Sequence, residues 1–200
     1  MRDIWFTSDP HYGHKLVSGL RGFSVDAHDE TITRSYLESV KPGDKLYILG
    51  DLSISRDTGL WREPLSKVRE KLGDDGEMHL IWGNHDAGWA GSSRAHKSQR
   101  VYLELFDSAS MYGRIKYNEY EFLLSHLPYD GDSRSDPRYT QWRLRDEGVP
   151  IIHGHVHSPT QFKKSRRGTP QVNIGLEAWS LHPVKIDRIV EVTKKSGARK

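Results

Sequence analysis

Asp9 with His11, Asp51, Asn84-His85-Asp86, His126, and His155 with His157 are the residues whose types and spacing can do chemistry. Asp9 and His11 stand two apart, as do His155 and His157. On an extended backbone such pairs point the same way, so each pair is expected to form a two-toothed arm for one metal ion. Asp51 follows Gly50 and offers two oxygens, enough to bridge two ions, its plainer use being a turn or a helix cap. Gly83-Asn84-His85-Asp86 presents an amide oxygen, an imidazole and a carboxylate in succession. They read as a ligand, a proton carrier and a group to orient that carrier, the alternative for Asp86 being a local turn cap. Asp9, His11, Asp51, Asn84, His126, His155 and His157 make seven candidate ligands. If Asp51 serves twice, they suffice for two metals and a bridging water. A lone histidine is more often packed or solvated than a ligand. Five clusters, each at the end of a strand-like run, argue for a metal site. With 0 cysteines, every donor is nitrogen or oxygen, which admits manganese, iron, zinc, nickel or cobalt.

The elements that must position these residues are legible as apolar runs. Asp3 to Ser8 reads as a first buried strand, Lys45 to Leu49 as a second, and Met78 to Trp82 as a third. Between them, Asp26 to Val40 and Trp61 to Leu72 carry apolar residues at helical spacing, with Pro64 tolerable in a first turn. The order β-α-β-α-β implies parallel strands joined by right-handed crossovers. Their carboxyl ends are where open α/β sheets place ligands. Gly83 is expected to let the chain turn sharply there. Ala87 to Arg100 reads as a long glycine- and serine-rich loop whose Trp89 and Arg94 are candidates for substrate contact. His14 either lines the site or caps its loop. Met111 to Lys116 and Tyr120 to Ser125 read as a hairpin, Tyr129 to Pro137 as a polar loop and Arg138 to Glu147 as a short helix. Strands approach His153 and end near Gly175, and a closing helix carries Ile186, Ile189 and Val190.

Two hundred residues fit one ordinary domain, here 1–193, followed by a basic tail at 194–200. No apolar run approaches the roughly 20 residues needed to span a bilayer, so no membrane partner is expected. No secretory leader is read at the start of the chain. The absence of cysteine favours a cytoplasmic setting. A net charge of +3 suits an anionic substrate without requiring nucleic acid. The basic runs 163–167 and 194–200 read as a solvated hairpin tip and a frayed terminus.

Asp9-Pro10-His11, Gly50-Asp51, Gly83-Asn84-His85-Asp86, His126 and Gly154-His155-Val156-His157 follow, in order, the pattern D-x-H, G-D, G-N-H-D, H and G-H-x-H. In this the chain resembles the calcineurin-like metallophosphoesterases. The runs 8–14 and 173–179 also look like small bacterial and phage members. The resemblance implies a four-layer α-β-β-α sandwich, an α/β fold with two mixed sheets between helices. It assigns one metal to Asp9, His11 and His157, the other to Asn84, His126 and His155, and makes Asp51 the bridge. It further implies two metal ions, manganese first among those named above, and hydrolysis of a phosphodiester by a water that the metals ionise. His85, Asp86 and Asn84 are then the catalytic side chains. The expected partner is a small phosphoester or a nucleotide, cyclic nucleotides included, met in the cytoplasm (a host's, if phage-encoded). A phosphomonoesterase, a nuclease and a non-catalytic binding module on the same scaffold are the alternatives.

Overall fold

A computed structural model describes residues 2–54 and 58–195. The chain opens with β1 (Ile4–Thr7), α1 (Lys15–Leu20), α2 (Val25–Ser39), β2 (Lys45–Ile48), α3 (Gly59–Leu72) and β3 (Glu77–Ile81). Next come α4 (Ala95–Tyr102), β4 (Ser108–Ser110), β5 (Tyr112–Tyr117), β6 (Tyr120–Ser125) and β7 (Ile151–His153). β8 (Phe162–Lys164), β9 (Pro170–Asn173), β10 (Val184–Lys185) and α5 (Ile186–Lys195) complete it. Two five-stranded mixed sheets form, in the orders β10-β1-β2-β3-β4 and β5-β6-β7-β9-β8. The pairs β1–β2, β2–β3 and β3–β4 are parallel in the first sheet, and β6–β7 and β7–β9 in the second. The fold is the expected four-layer α/β sandwich.

Side-chain alternation explains the layering. Leu46 and Ile48 of β2 face the helices, where Ile32 and Tyr36 of α2, Trp61, Leu65, Val68 and Leu72 of α3, and Tyr102 of α4 form one core. Trp61 stacks on Tyr102 with ring centroids 4.6 Å apart. Phe6, Leu49 and Ile81 face the other way and meet Phe122, Leu124, Ile152 and Val172 of the second sheet, with Ile186, Ile189 and Val190 of α5. Ser24 caps α2 by accepting from the Ala27 amide. Among the described residues no helix is long and apolar enough to cross a membrane.

Two expected segments differ. Ala87 to Arg100 is not loop throughout, because α4 begins at Ala95. Trp89 is buried against Tyr139 and Trp142, so it is core rather than a substrate contact. Arg94 is the exposed residue before α4 and is not among the residues that line the cleft described below. Arg138 to Glu147 holds only a 3-10 turn, Thr140–Trp142. The Arg143 guanidinium donates to the carbonyls of Pro128, Gly131 and Arg138 and ties this stretch into a compact loop instead of a helix. Basic residues 163–167 do form a hairpin, with Lys163 and Lys164 in β8 and Arg166 and Arg167 in the turn to β9. Lys194 and Lys195 finish α5, and the rest of the expected tail lies outside the described residues.

Candidate metal centre

The parallel strands of both sheets end at one place. Asp9 follows β1, Asp51 follows β2, Asn84 follows β3, His126 follows β6, and His155 and His157 follow β7. Backbone hydrogen bonds Asp9 N to Gly50 O and Gly154 N to His126 O tie neighbouring ends together. The Asp9 Oδ2 atom accepts from the His155 amide at 3.0 Å, joining one sheet to the other.

The residues converge as the spacing suggests, but not for the reason of extended backbone. Asp9 (φ 60°), His11 (φ 50°), His155 (φ 71°) and His157 (φ 43°) are all left-handed, as is Asp51 (φ 55°). Asp9 and His11 are thus carried on tight turns and share one donor group, as expected of an arm, whereas His155 and His157 divide between two groups instead of serving one ion. Such conformations cost of order 1–3 kcal/mol each outside glycine and persist where surrounding structure holds them. Gly83 also acts otherwise than expected: a Cβ there would overlap the Asp51 amide and carboxylate, so its role is close approach of two strand ends. Gly154 is comparable, since a Cβ would overlap Ser8 and the Asp9 carboxylate.

Two donor groups emerge, Asp9 with His11 and His157, and Asp51 with His126 and His155, the facing atoms in each lying within 4.8 Å of one another. His126 Nε2 also meets Asn84 Oδ1 at 3.2 Å, which puts the amide in the second group. Asp51 Oδ2 stands between the groups, 3.6 Å from His11 Nε2 and 3.4 Å from His126 Nε2. Asp51 Oδ1 accepts the His85 amide at 2.9 Å. The two Asp51 oxygens, expected to be equivalent, therefore differ: Oδ1 carries an amide hydrogen bond and Oδ2 is the one that faces both groups.

Whether cations fit is answered by unpartnered atoms. Asp9 Oδ1, His11 Nε2 and Glu177 Oε2 are buried and lack hydrogen-bond partners among the described residues. Such groups are costly unless something binds them. Asp9 Oδ1 lies 3.9 Å from His11 Nε2 and 3.8 Å from His157 Nε2. A first-row cation with bonds of about 2 Å to nitrogen and oxygen draws its donors to roughly such separations. The residues fit.

Partners behind the ligands fix which nitrogen faces inward. His126 Nδ1 meets the Leu49 carbonyl at 2.7 Å, leaving Nε2 for the centre. His157 Nδ1 meets Glu177 Oε1 at 2.9 Å, and His155 Nε2 meets Asp132 Oδ2 at 3.2 Å. Carboxylates placed so behind ligating histidines hold the ring and its tautomer. Glu177 is in turn gripped by the buried Arg21. Burial opposes ionisation of Glu177, but the His157 hydrogen bond and Arg21 outweigh it and hold the carboxyl down at about 2. Burial likewise opposes Asp132, whose bonds from Arg138 and His155 keep it well below the usual carboxylate range. Burial pushes His11 well down and His155 down to about 3, so both rings present lone pairs. Burial also disfavours charge on His126, yet Asp51 overrides it and raises that ring to about 10. The same negative field favours a bound cation.

Asp86, expected to orient His85, makes no hydrogen bond to that ring among the described residues. Its carboxylate accepts from the amides of Gly83 (2.8 Å), Asp51 (3.0 Å) and Leu52 (3.0 Å), clamping the ends of β2 and β3 together. Burial, then the Asp51 charge, raises it to about 7. The local cap is the reading that matches these contacts. His85 is half-exposed, with Nε2 3.9 Å from Asp51 Oδ2. His14 precedes α1 without capping it by its side chain and sets Nδ1 3.3 Å from His11 Nδ1, lining the site. A cleft of about 560 Å³ opens above the centre, lined by His85, Asn84 and Asp51 among others.

Residues 2–159 match the family described as calcineurin-like phosphoesterase. The chain belongs to that family. This calcineurin-like phosphoesterase is 37% identical over 190 residues to the Gene 66 protein of Mycobacterium phage L5, covering 90% of this chain and 88% of that one. The Gene 66 protein of Mycobacterium phage D29 is 36% identical over 184 residues, covering 90% of each. A crystal structure of the protein of unknown function AQ665 from Aquifex aeolicus superposes with a TM-score of 0.69 at 24% identity, covering 96% of this chain and 100% of that chain; the likeness is one of fold. Membership makes the chain a metal-dependent phosphoesterase, a hydrolase of phosphoric esters.

Sequence reasoning missed Asp132, Arg138, Arg143 and Arg21. Asp132 sits in a polar loop with Asp130 and Asp136, and nothing in its spacing distinguishes it. Glu177 lies in a run already noted for its resemblance, which was the available signal.

Proposed function

We propose that this chain is a binuclear phosphodiesterase, manganese-dependent, acting on small or nucleotide-like diesters with cyclic nucleotides among them. The observation that supports this most is the meeting of two donor groups at Asp51 Oδ2 on the floor of a cleft. The cleft has α1 residues on its wall and also Ser133, Arg134 and Arg138, so both arms of a diester have somewhere to lie.

Asp9, His11 and His157 would hold one cation, Asn84, His126 and His155 the other, with Asp51 Oδ2 shared. When bound, the cations supply charge to hold the phosphoryl oxygens and to ionise a water at neutral pH. Asp132 and Glu177 keep the His155 and His157 rings in place. His85, half-exposed at the centre, is placed to give a proton from its ring to the leaving oxygen. Asp51 Oδ1, by accepting the His85 amide, fixes that residue against the bridge. Asp86 contributes by holding the turn. A cytoplasmic setting, a host's if the gene is a phage's, suits a chain without cysteine.

Metal-stripped protein reloaded with manganese should hydrolyse bis(p-nitrophenyl) phosphate faster than p-nitrophenyl phosphate. Faster release from the monoester would favour a phosphomonoesterase. No release from either would favour a binding scaffold. A nuclease would cut DNA or RNA with steep salt dependence.

A further inference from the structure

The most exposed large apolar side chains among the described residues are Leu16 and Leu20, at 66% and 79% exposure. Both belong to α1, four apart and so on one face, and both line the cleft above the metal centre. α1 starts directly after His14, whose ring contacts His11, so this apolar face is continuous with the ligand cluster. Leucines left in water beside a reactive centre lose nothing structural there, since the buried side of α1 is carried by Val17 and Ser18. The cleft's cations differ in their engagement. Arg21 is held by Glu177, and Arg138 by Asp132. Arg134 lines the same cleft and makes no ion pair or hydrogen bond among the described residues.

We infer that Leu16 and Leu20 form the wall on which one ester arm of the substrate lies, and that Arg134 meets its phosphate charge. The substrate class is thus a phosphoester with a flat apolar arm, a nucleobase or an aryl ring, in preference to a small alkyl arm. This rests on the proposed hydrolytic site and names what that site selects. A ring laid on two leucines removes apolar surface from water on both partners, and a methyl group has too little surface to do the same.

Calorimetry on manganese-loaded protein with 1-naphthylphosphonate and methylphosphonate tests it, because the two anions share a charged group and differ in the arm. Wild type should bind the naphthyl compound about tenfold tighter or more, a difference that modest apolar burial produces. Leu16→Ser combined with Leu20→Ser should shrink that ratio to within about threefold and leave methylphosphonate binding and metal content as they were. Arg134→Gln should weaken both compounds by a similar factor and keep the ratio. All three side chains project into solvent, so the variants should fold. A wild-type ratio near one, an unchanged ratio in the leucine variant, or equal binding of both compounds by Arg134→Gln and wild type would overturn the inference. Diester turnover is measured alongside. A naphthyl preference without turnover counts against the phosphodiesterase reading alone, and turnover without arm preference counts against the wall alone.

Discussion

His85 and Asp86 are neighbours in sequence with separate duties in space. The Asp86 carboxylate holds three buried backbone amides, and His85 stands open to the cleft. Replacing His85 with Ala should leave metal content intact and lower turnover by about 10²–10⁴-fold, the range typical of a lost general acid. The loss should grow as the leaving group becomes more basic, read from a series of substituted phenyl esters; a uniform loss would contradict proton delivery. Asp86→Ala should instead destabilise, since each amide left unpaired costs about 1–3 kcal/mol. Thermal melting and metal retention should fall together, with no leaving-group dependence of its own. The sequence suggested both residues because their types fit catalysis. It did not separate them, because the partner of Asp86 is the far end of another strand. Asp51 shows a related limit: its position was readable, but only geometry reveals that Oδ1 accepts the His85 amide while Oδ2 faces the His11 and His126 rings.

At the scale of elements, strands with apolar faces were readable from alternation, and helices α2, α3 and α5 from periodicity. α4 was missed because its start is hidden behind a glycine- and serine-rich stretch, and the tie of Arg143 across the 128–143 loop has no local signature. The close meeting of β7 with β1 depends on Gly154. Gly154→Ala should cost at least about 1–3 kcal/mol through overpacking and displace the Asp9 carboxylate, seen as a lower melting temperature and weaker metal binding. The β8–β9 hairpin is tied down by Asp146, which accepts from Ser165 Oγ at 2.5 Å and Thr169 Oγ1 at 2.6 Å. Burial opposes charge on Asp146, but these hydrogen bonds prevail and lower its pKa. A carboxyl depressed in the folded state stabilises fully above its unfolded pKa and loses that contribution as pH falls through the folded value. Asp146→Ala should therefore cost about 1–2 kcal/mol at neutral pH, and the gap from wild type should close in acid. A gap independent of pH in denaturant titrations would contradict the assignment.

Across the whole molecule, two sheets end their parallel strands against each other and bring donors from residue 9 to residue 157 around Asp51. The seven candidate ligands were legible because each sits at a strand end in a fixed local pattern. The groups that hold them, Asp132, Arg138 and Arg21, come from loops and the end of α1, where no period marks them. The parallel strands followed from the alternation of strands and helices and the four-layer sandwich from the family resemblance, and the walls of the cleft from neither, since exposure is a property of the folded chain. The most direct measurement is a crystal of manganese-loaded protein with diffraction recorded on either side of the manganese absorption edge. The account predicts two anomalous peaks per chain, one among Asp9, His11 and His157 and one among Asn84, His126 and His155, each reached by Asp51 Oδ2. Full occupancy at one group with the other empty, or peaks away from Asp51, would contradict it.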